Sequence, residues 1–208
     1  MSSTTAKSPD ASRRSERSRK AILQASMELV GEVGYPKLTI EAIAARAGVG
    51  KQTIYRWWSS KAAVLLDAFT EVVHDENAEG SAGGLPDTGD IEADLKYVLR
   101  ATADEFSDAS FEAPYRALAV AAAADPELAD QFVSRLREPG VRVYTERLRA
   151  GQEAGQIDPD LDLDLAVELL LGPFQQRWLN RTGPLTHEFT DGLVELAMRA
   201  LAPRGAPR

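Results

Sequence analysis

Residues 49–61, VGKQTIYRWWSSK, crowd two tryptophans, a tyrosine, an arginine and two lysines into one short stretch. These types suit contact with a polyanion that carries readable edges. Lys51 can donate to guanine acceptors, Gln52 can pair with adenine, and Thr53 can touch a thymine methyl. Tyr55 and Arg56 can hydrogen-bond phosphate oxygens, and Trp57 offers an indole donor. The same aromatics could instead fill a core. Average charge favours that blander reading, with a net charge of -8 and a pI near 4.9. The charge is split by position, however. Residues 1–61 carry 11 Lys and Arg against 5 Asp and Glu, whereas residues 62–208 carry 13 against 27. A basic head on an acidic body suggests that only the head meets a polyanion.

Other chemistry finds little material. The absence of cysteine rules out disulfides and thiolate chemistry. His74 and His187 lack partners at metal-ligand spacing, and His187–Asp191 at i, i+4 reads as a surface pair. GSAGG at 80–84 lacks the G-x-S-x-G of a nucleophile elbow and reads as linker. No catalytic residue, metal ligand or cofactor is assigned, and an enzyme is not expected. No apolar run approaches the roughly 18 residues of a membrane span. The polar N-terminus, MSSTTAKSPDASRRSERSRK, has no apolar segment of the secretory kind. A cytoplasmic chain without a membrane partner is expected.

Helical spacing runs through nearly the whole chain, so the expected fold class is all-α. A first helix is predicted over 17–33, with Ile22, Ala25, Leu29 and Val33 on its apolar face. It should end at GEVGYP, where Gly34 can turn left-handed and Pro36 blocks continuation. Thr39 should cap a second helix, with Glu41 in its first turn. Gly48 supplies a tight turn, and a third helix follows over about 50–58. Ile43, Ala44 and Ala47 meet Val49, Ile54 and Trp58 in a small shared core. Lys51, Gln52, Thr53, Tyr55, Arg56 and Trp57 are left for the outer faces, a reading surface suited to a major groove. Thr39 and Lys61 flank it as backbone contacts, and Arg13, Arg14, Arg17 and Arg19 add phosphate contacts from a tail.

A fourth helix to about residue 75 precedes ENAEGSAGGLPDTGD (76–90), a Gly-rich acidic linker or mobile loop. Helices are predicted over about 91–107, 111–124, 126–138, 141–152, 163–180 and 187–201. Pro173 is expected to kink the helix over 163–180. The expected organisation is a disordered basic tail (1–16), a helix-turn-helix DNA-binding domain (17–62) and a helical regulatory domain (63–208).

The stretch SRKAILQASMELVGEVGYPKLTIEAIAARAGVGKQTIYRWWSSKAAVLLDAF resembles the N-terminal DNA-binding domain of the TetR family of bacterial transcriptional regulators, over about residues 17–70. Its most specific parts are GYPKLTIEAIAARAGV and TIYRWWSSK. Family members commonly carry a histidine or similar polar ring where Trp57 stands and Phe where Trp58 stands, so Trp58 is a conservative core filler. The resemblance implies double-stranded DNA as partner. It implies a homodimer whose recognition helices meet successive major grooves about 34 Å apart on a palindromic operator. It further implies a C-terminal domain with a small-molecule cavity and a dimerising pair of terminal helices. LLLGPFQQRWLNRTGPLTHEFTDGLVELAMRAL is similar to the dimerising end of one branch. The expected function is a repressor released by an effector that prefers one of two states. An effector-independent architectural DNA-binding protein is the alternative. Candidate cavity residues are Phe106, Tyr115, Phe132, Tyr144, Gln175 and Trp178. Candidate dimer residues are Leu169, Leu170, Phe174, Leu193, Leu196, Ala197 and Ala200, with an intrachain core as the competing reading.

Overall fold

The computed structural model describes residues 9–80 and 85–203, and among the described residues the regular structure is helical, with no strand. In order the helices are α1 (Pro9–Val33), α2 (Ile40–Ala47), α3 (Lys51–Tyr55), α4 (Lys61–Gly80) and α5 (Ile91–Glu105). They continue as α6 (Ala109–Ala122), α7 (Pro126–Phe132), α8 (Glu138–Glu153), α9 (Leu163–Asn180) and α10 (His187–Leu201). A 3-10 turn covers Tyr35–Lys37, and a π turn over Val133–Arg137 joins α7 to α8. No described helix is long and apolar enough to cross a membrane. The chain divides into two compact units, Met1–His74 with Ala113–Phe132, and Asp75–Glu112 with Val133–Arg208.

In the first unit α1 packs on α2, and α2 on α3. Thr39 starts α2 as expected: its Oγ1 accepts the Ala42 N–H at 3.1 Å. Gly48 ends α2 with φ 66°, a left-handed conformation that a residue with a Cβ enters at a cost. The turn is closed by Val49 N donating to Ala44 O at 3.0 Å. Ile22, Leu38, Ile43, Ile54, Leu65 and Phe69 are fully buried and fix the helices that frame α3.

In the second unit α5 packs on α10, and α9 on both α8 and α10. Their shared core contains Leu95, Leu99, Leu148, Val167, Leu170 and Val194. One ion pair lies inside it. Arg147 donates to Asp94 Oδ2 at 2.7 and 3.1 Å, and both residues are almost inaccessible. The close approach of α8 to α5 needs Gly151, where an added Cβ would fall 2.5 Å from Ile91 Cδ1.

Several expected boundaries move. The helix predicted from residue 17 begins at Pro9, so residues 9–16 of the expected tail are helical; residues 1–8 lie outside the described residues. Pro opens a helix without loss, because the first N–H has no intrahelical acceptor. Residues 76–80 of the expected linker are the last turn of α4, and 81–84 lie outside the described residues. Residues 86–89 are fastened by long-range bonds: Arg147 Nε donates to Pro86 O at 3.1 Å, and Gln156 Nε2 donates to Gly89 O at 2.5 Å. Thr88 gives its N–H and hydroxyl to Asp94 at 3.1 and 2.7 Å. The break expected near residues 139–140 does not occur, because Pro139 falls in the first turn of α8, just after the π turn. α9 covers the predicted span, Leu163–Asn180, with Pro173 inside it.

Candidate nucleic-acid interface

α3 is short, and burial orients it. Ile54 is fully buried, and Trp58, just beyond the helix, is 5% exposed, so the side of α3 opposite Ile54 faces outward. Lys51, Gln52, Tyr55 and Arg56 are exposed there, whereas Thr53 is half-buried. Trp58 also spends its polar atom inward, its Nε1 donating to Asp67 Oδ2 at 2.8 Å. Trp57 lies between the two roles. It is half-buried, meets Trp58 edge to face with centroids 5.3 Å apart, and carries the Arg56 guanidinium 5.1 Å from its ring centroid.

The flanking groups are partly engaged. The Thr39 hydroxyl accepts from Ala42 N, which leaves its own hydrogen to donate. Lys61 Nζ donates to Tyr35 O at 2.9 Å and Leu38 O at 2.8 Å, so one of its three hydrogens remains for a phosphate. Arg19 is paired with Glu71 and Glu16. Arg13 and Arg17 are exposed on α1, while the side chain of Arg14 lies outside the described residues.

One residue of this surface escapes a reading of the sequence as a contact. Glu41 Oε1 lies 3.1 Å from Lys51 Nζ, across the turn between α2 and α3. Its own backbone N–H and then the Lys51 ammonium hold the Glu41 carboxyl below its ordinary value. The two residues are ten apart on different helices, so no helical spacing rule connects them.

The six cavity candidates do not fall in one unit. Tyr115 and Phe132 belong to the first, where Tyr115 packs on Phe69 and Phe132 at 5.5 and 5.4 Å. Phe106, Tyr144, Gln175 and Trp178 belong to the second. There Phe106 packs on Phe111, Phe174 and Trp178 at 5.2, 5.5 and 5.2 Å, a filled aromatic cluster. Trp178 Nε1 donates to Glu112 at 3.2 Å. Tyr144 is buried and bonded to Thr102, and burial pushes its phenol up to about 12. Gln175 instead lines an open groove of about 620 Å³, with Val133, Val141, Val167, Leu171 and Arg137.

The dimer candidates also divide. Leu170, Phe174 and Ala197 are buried within the second unit, where their own chain covers their apolar surface. Leu169 is 49% and Leu196 63% exposed, Ala200 is exposed and Leu193 half-buried. Leu165 and Leu179, which the sequence pattern does not mark, are exposed on α9 as well.

A helix-turn-helix whose exposed polar face stands over a buried anchor, in a chain with a second helical unit, is the architecture of a DNA-binding regulator. Comparison with known proteins agrees. Residues 22–68 match the model of bacterial regulatory proteins of the tetR family, and residues 85–197 match a tetracyclin repressor-like C-terminal domain. The chain is 31% identical to the uncharacterized HTH-type transcriptional regulator YdeS of Bacillus subtilis, over 93% of this chain and 94% of that one. It is 28% identical to a DNA-binding transcriptional repressor, TetR, of Mycobacteroides abscessus, over 93% and 98%. The crystal structure of the TetR family transcription regulator SCO0332 superposes with a TM-score of 0.67 at 34% identity, over 89% of this chain and 99% of that one. The chain belongs to the TetR family of transcriptional regulators.

Proposed function

We propose that the chain acts in the cytoplasm as a homodimeric repressor that reads a palindromic operator with α3 and leaves it when a small molecule binds the second unit. The observation that carries the reading is the division of residues 51–58, α3 and the turn after it: Ile54 and Trp58 are spent on the core, while Lys51, Gln52, Tyr55 and Arg56 are exposed. A backbone so anchored carries these donors on one exposed segment, from which they can reach base edges and phosphates. Support for repression comes from the relative in Mycobacteroides abscessus, which is named a repressor. Support for an effector comes from the groove beside Gln175, whose volume of about 620 Å³ suits a drug-sized molecule. FadR from Bacillus subtilis, which shares the fold at 20% identity, was crystallised with stearoyl-CoA. Dimerisation is supported by the exposed leucines of α9 and α10. No catalytic role is assigned to any residue.

The test is selection of bound fragments from random DNA, followed by a screen of small molecules for release. A two-fold symmetric consensus with half-sites one helical turn apart is expected. Retention of sequence-unrelated fragments alone would overturn the operator reading. A compound that binds the second unit tightly yet leaves operator affinity unchanged would not be an effector, because only differential affinity shifts an equilibrium.

A further inference from the structure

The head carries more positive charge than it can offer to DNA. Arg46 is held by Glu28 and Glu32 at 3.2 and 2.8 Å, and Arg19 by Glu71 and Glu16. Lys51, the first residue of α3, also has an anion beside it, Glu41 at 3.1 Å. Glu41 lies in the first turn of α2, where its own backbone N–H and the helix N-terminus favour a carboxylate, but neither of these requires Lys51 beside it. The N-terminus of α2 is already closed by Thr39, and the side chains of Lys51 and Glu41 are 53% and 63% exposed, so their pairing adds little to stability. A carboxylate on a DNA-facing surface lowers affinity, because every phosphate repels it. Beside the first residue of α3 such a carboxylate can act on discrimination, by competing for the Lys51 ammonium.

We propose that Glu41 is a specificity-determining residue of the DNA-reading surface, which by pairing with Lys51 across the turn withholds that ammonium from phosphates and yields it to a base step that supplies a donor of its own. The inference rests on α3 being the recognition element. Guanine offers O6 and N7 to Lys51, and cytosine offers its N4 hydrogens to Glu41. A step with guanine near Lys51 and cytosine near Glu41 satisfies both charges, and their interactions strengthen as water leaves the groove. A phosphate has only acceptors. It satisfies Lys51 while repelling Glu41, and thymine O4 beside Glu41 is disfavoured for the same reason. The pair thus uses repulsion to suppress wrong sites, as specificity commonly requires.

The test compares the full-length protein with Glu41→Gln, which removes the charge and keeps the shape. Binding to the selected operator and to a scrambled duplex is measured over a range of salt. In the variant, scrambled-duplex affinity is expected to rise about tenfold, with the salt slope steeper by about 0.9 for each phosphate newly engaged. The preference for cytosine beside residue 41 should weaken. In a Lys51→Met background the same change should move scrambled-duplex affinity by less than about threefold, since only general repulsion is relieved. Unchanged slope and scrambled-duplex affinity, in a variant that melts like the parent, overturn the proposal. Equal shifts in the two backgrounds also overturn it. A parent protein without sequence preference would instead overturn the recognition reading on which the proposal stands.

Discussion

Trp57 and Trp58 are neighbours in sequence just beyond the end of α3, and their rings reach different environments, Trp57 half-buried and Trp58 almost inaccessible. Trp58 is legible as core because Ile54 precedes it by four positions. Trp57 is not, because half-burial against another indole is neither core nor free surface. The Trp58 indole also needs a partner that the sequence does not name, Asp67 on α4. Asp67→Ala leaves that N–H unsatisfied in a nearly inaccessible site and is expected to cost about 1–3 kcal/mol, read as a lower melting temperature with an unchanged operator preference. For Lys51 and Gln52 the expectation is the opposite. Both are exposed, so replacing them together by Ala should leave stability within about 0.5 kcal/mol of the parent. Discrimination for operator over scrambled DNA should fall by about 1–3 kcal/mol for each base that is no longer read. Full retention of operator preference in a folded double variant would remove α3 from recognition.

Helices with clear side-chain caps are the easiest elements to place from sequence. α9 starts after Asp162 and α10 after Thr186, each accepting a backbone N–H of the first turn, and both run over the predicted residues. The segment 76–90 is harder, since its Gly-rich composition is silent about bonds arriving from residues some sixty positions away. Arg147 and Thr88, which fasten that segment, both bond Asp94. Burial alone would raise the Asp94 carboxyl, but the hydrogen bonds from Arg147 and Thr88 outweigh burial and hold it below its ordinary value. A depressed folded value means that this stabilisation is complete above the unfolded value near 3.9 and is lost as pH falls through the lower folded value. Asp94→Asn should therefore be less stable at neutral pH, on the order of 3 kcal/mol because Arg147 is left buried and unpaired. Its deficit relative to the parent should shrink below about pH 4, as the parent's own carboxyl protonates. Acid titration of both proteins by circular dichroism checks this; a deficit constant from about pH 7 to about pH 2 would show that the charge of Asp94 is not what matters.

For the whole molecule the question is what covers the leucines that the chain leaves in water. Leu165, Leu169 and Leu179 are 64%, 49% and 46% exposed, and their spacings of four and fourteen residues place them along one side of α9. On α10 Leu196 is 63% exposed and Ala200 lies one turn further on. These residues lie on two helices that pack together, and on the proposed dimer reading they would be the surface that a second copy covers. An isologous pairing of two copies would bury both stripes at once. It would also join two reading heads, so that the second half-site binds as an intramolecular event. Leu169→Glu with Leu196→Glu should therefore yield a folded monomer by light scattering, since neither side chain supports the core. Operator affinity should fall by about a hundredfold or more, while weak half-site binding persists. Leu170→Ala provides the contrast: Leu170 is fully buried, and its truncation should cost about 2–5 kcal/mol of stability without exposing a new charge at the interface. If the double glutamate variant remains dimeric, the α9–α10 face is not the subunit contact, and the two heads must be joined through another surface.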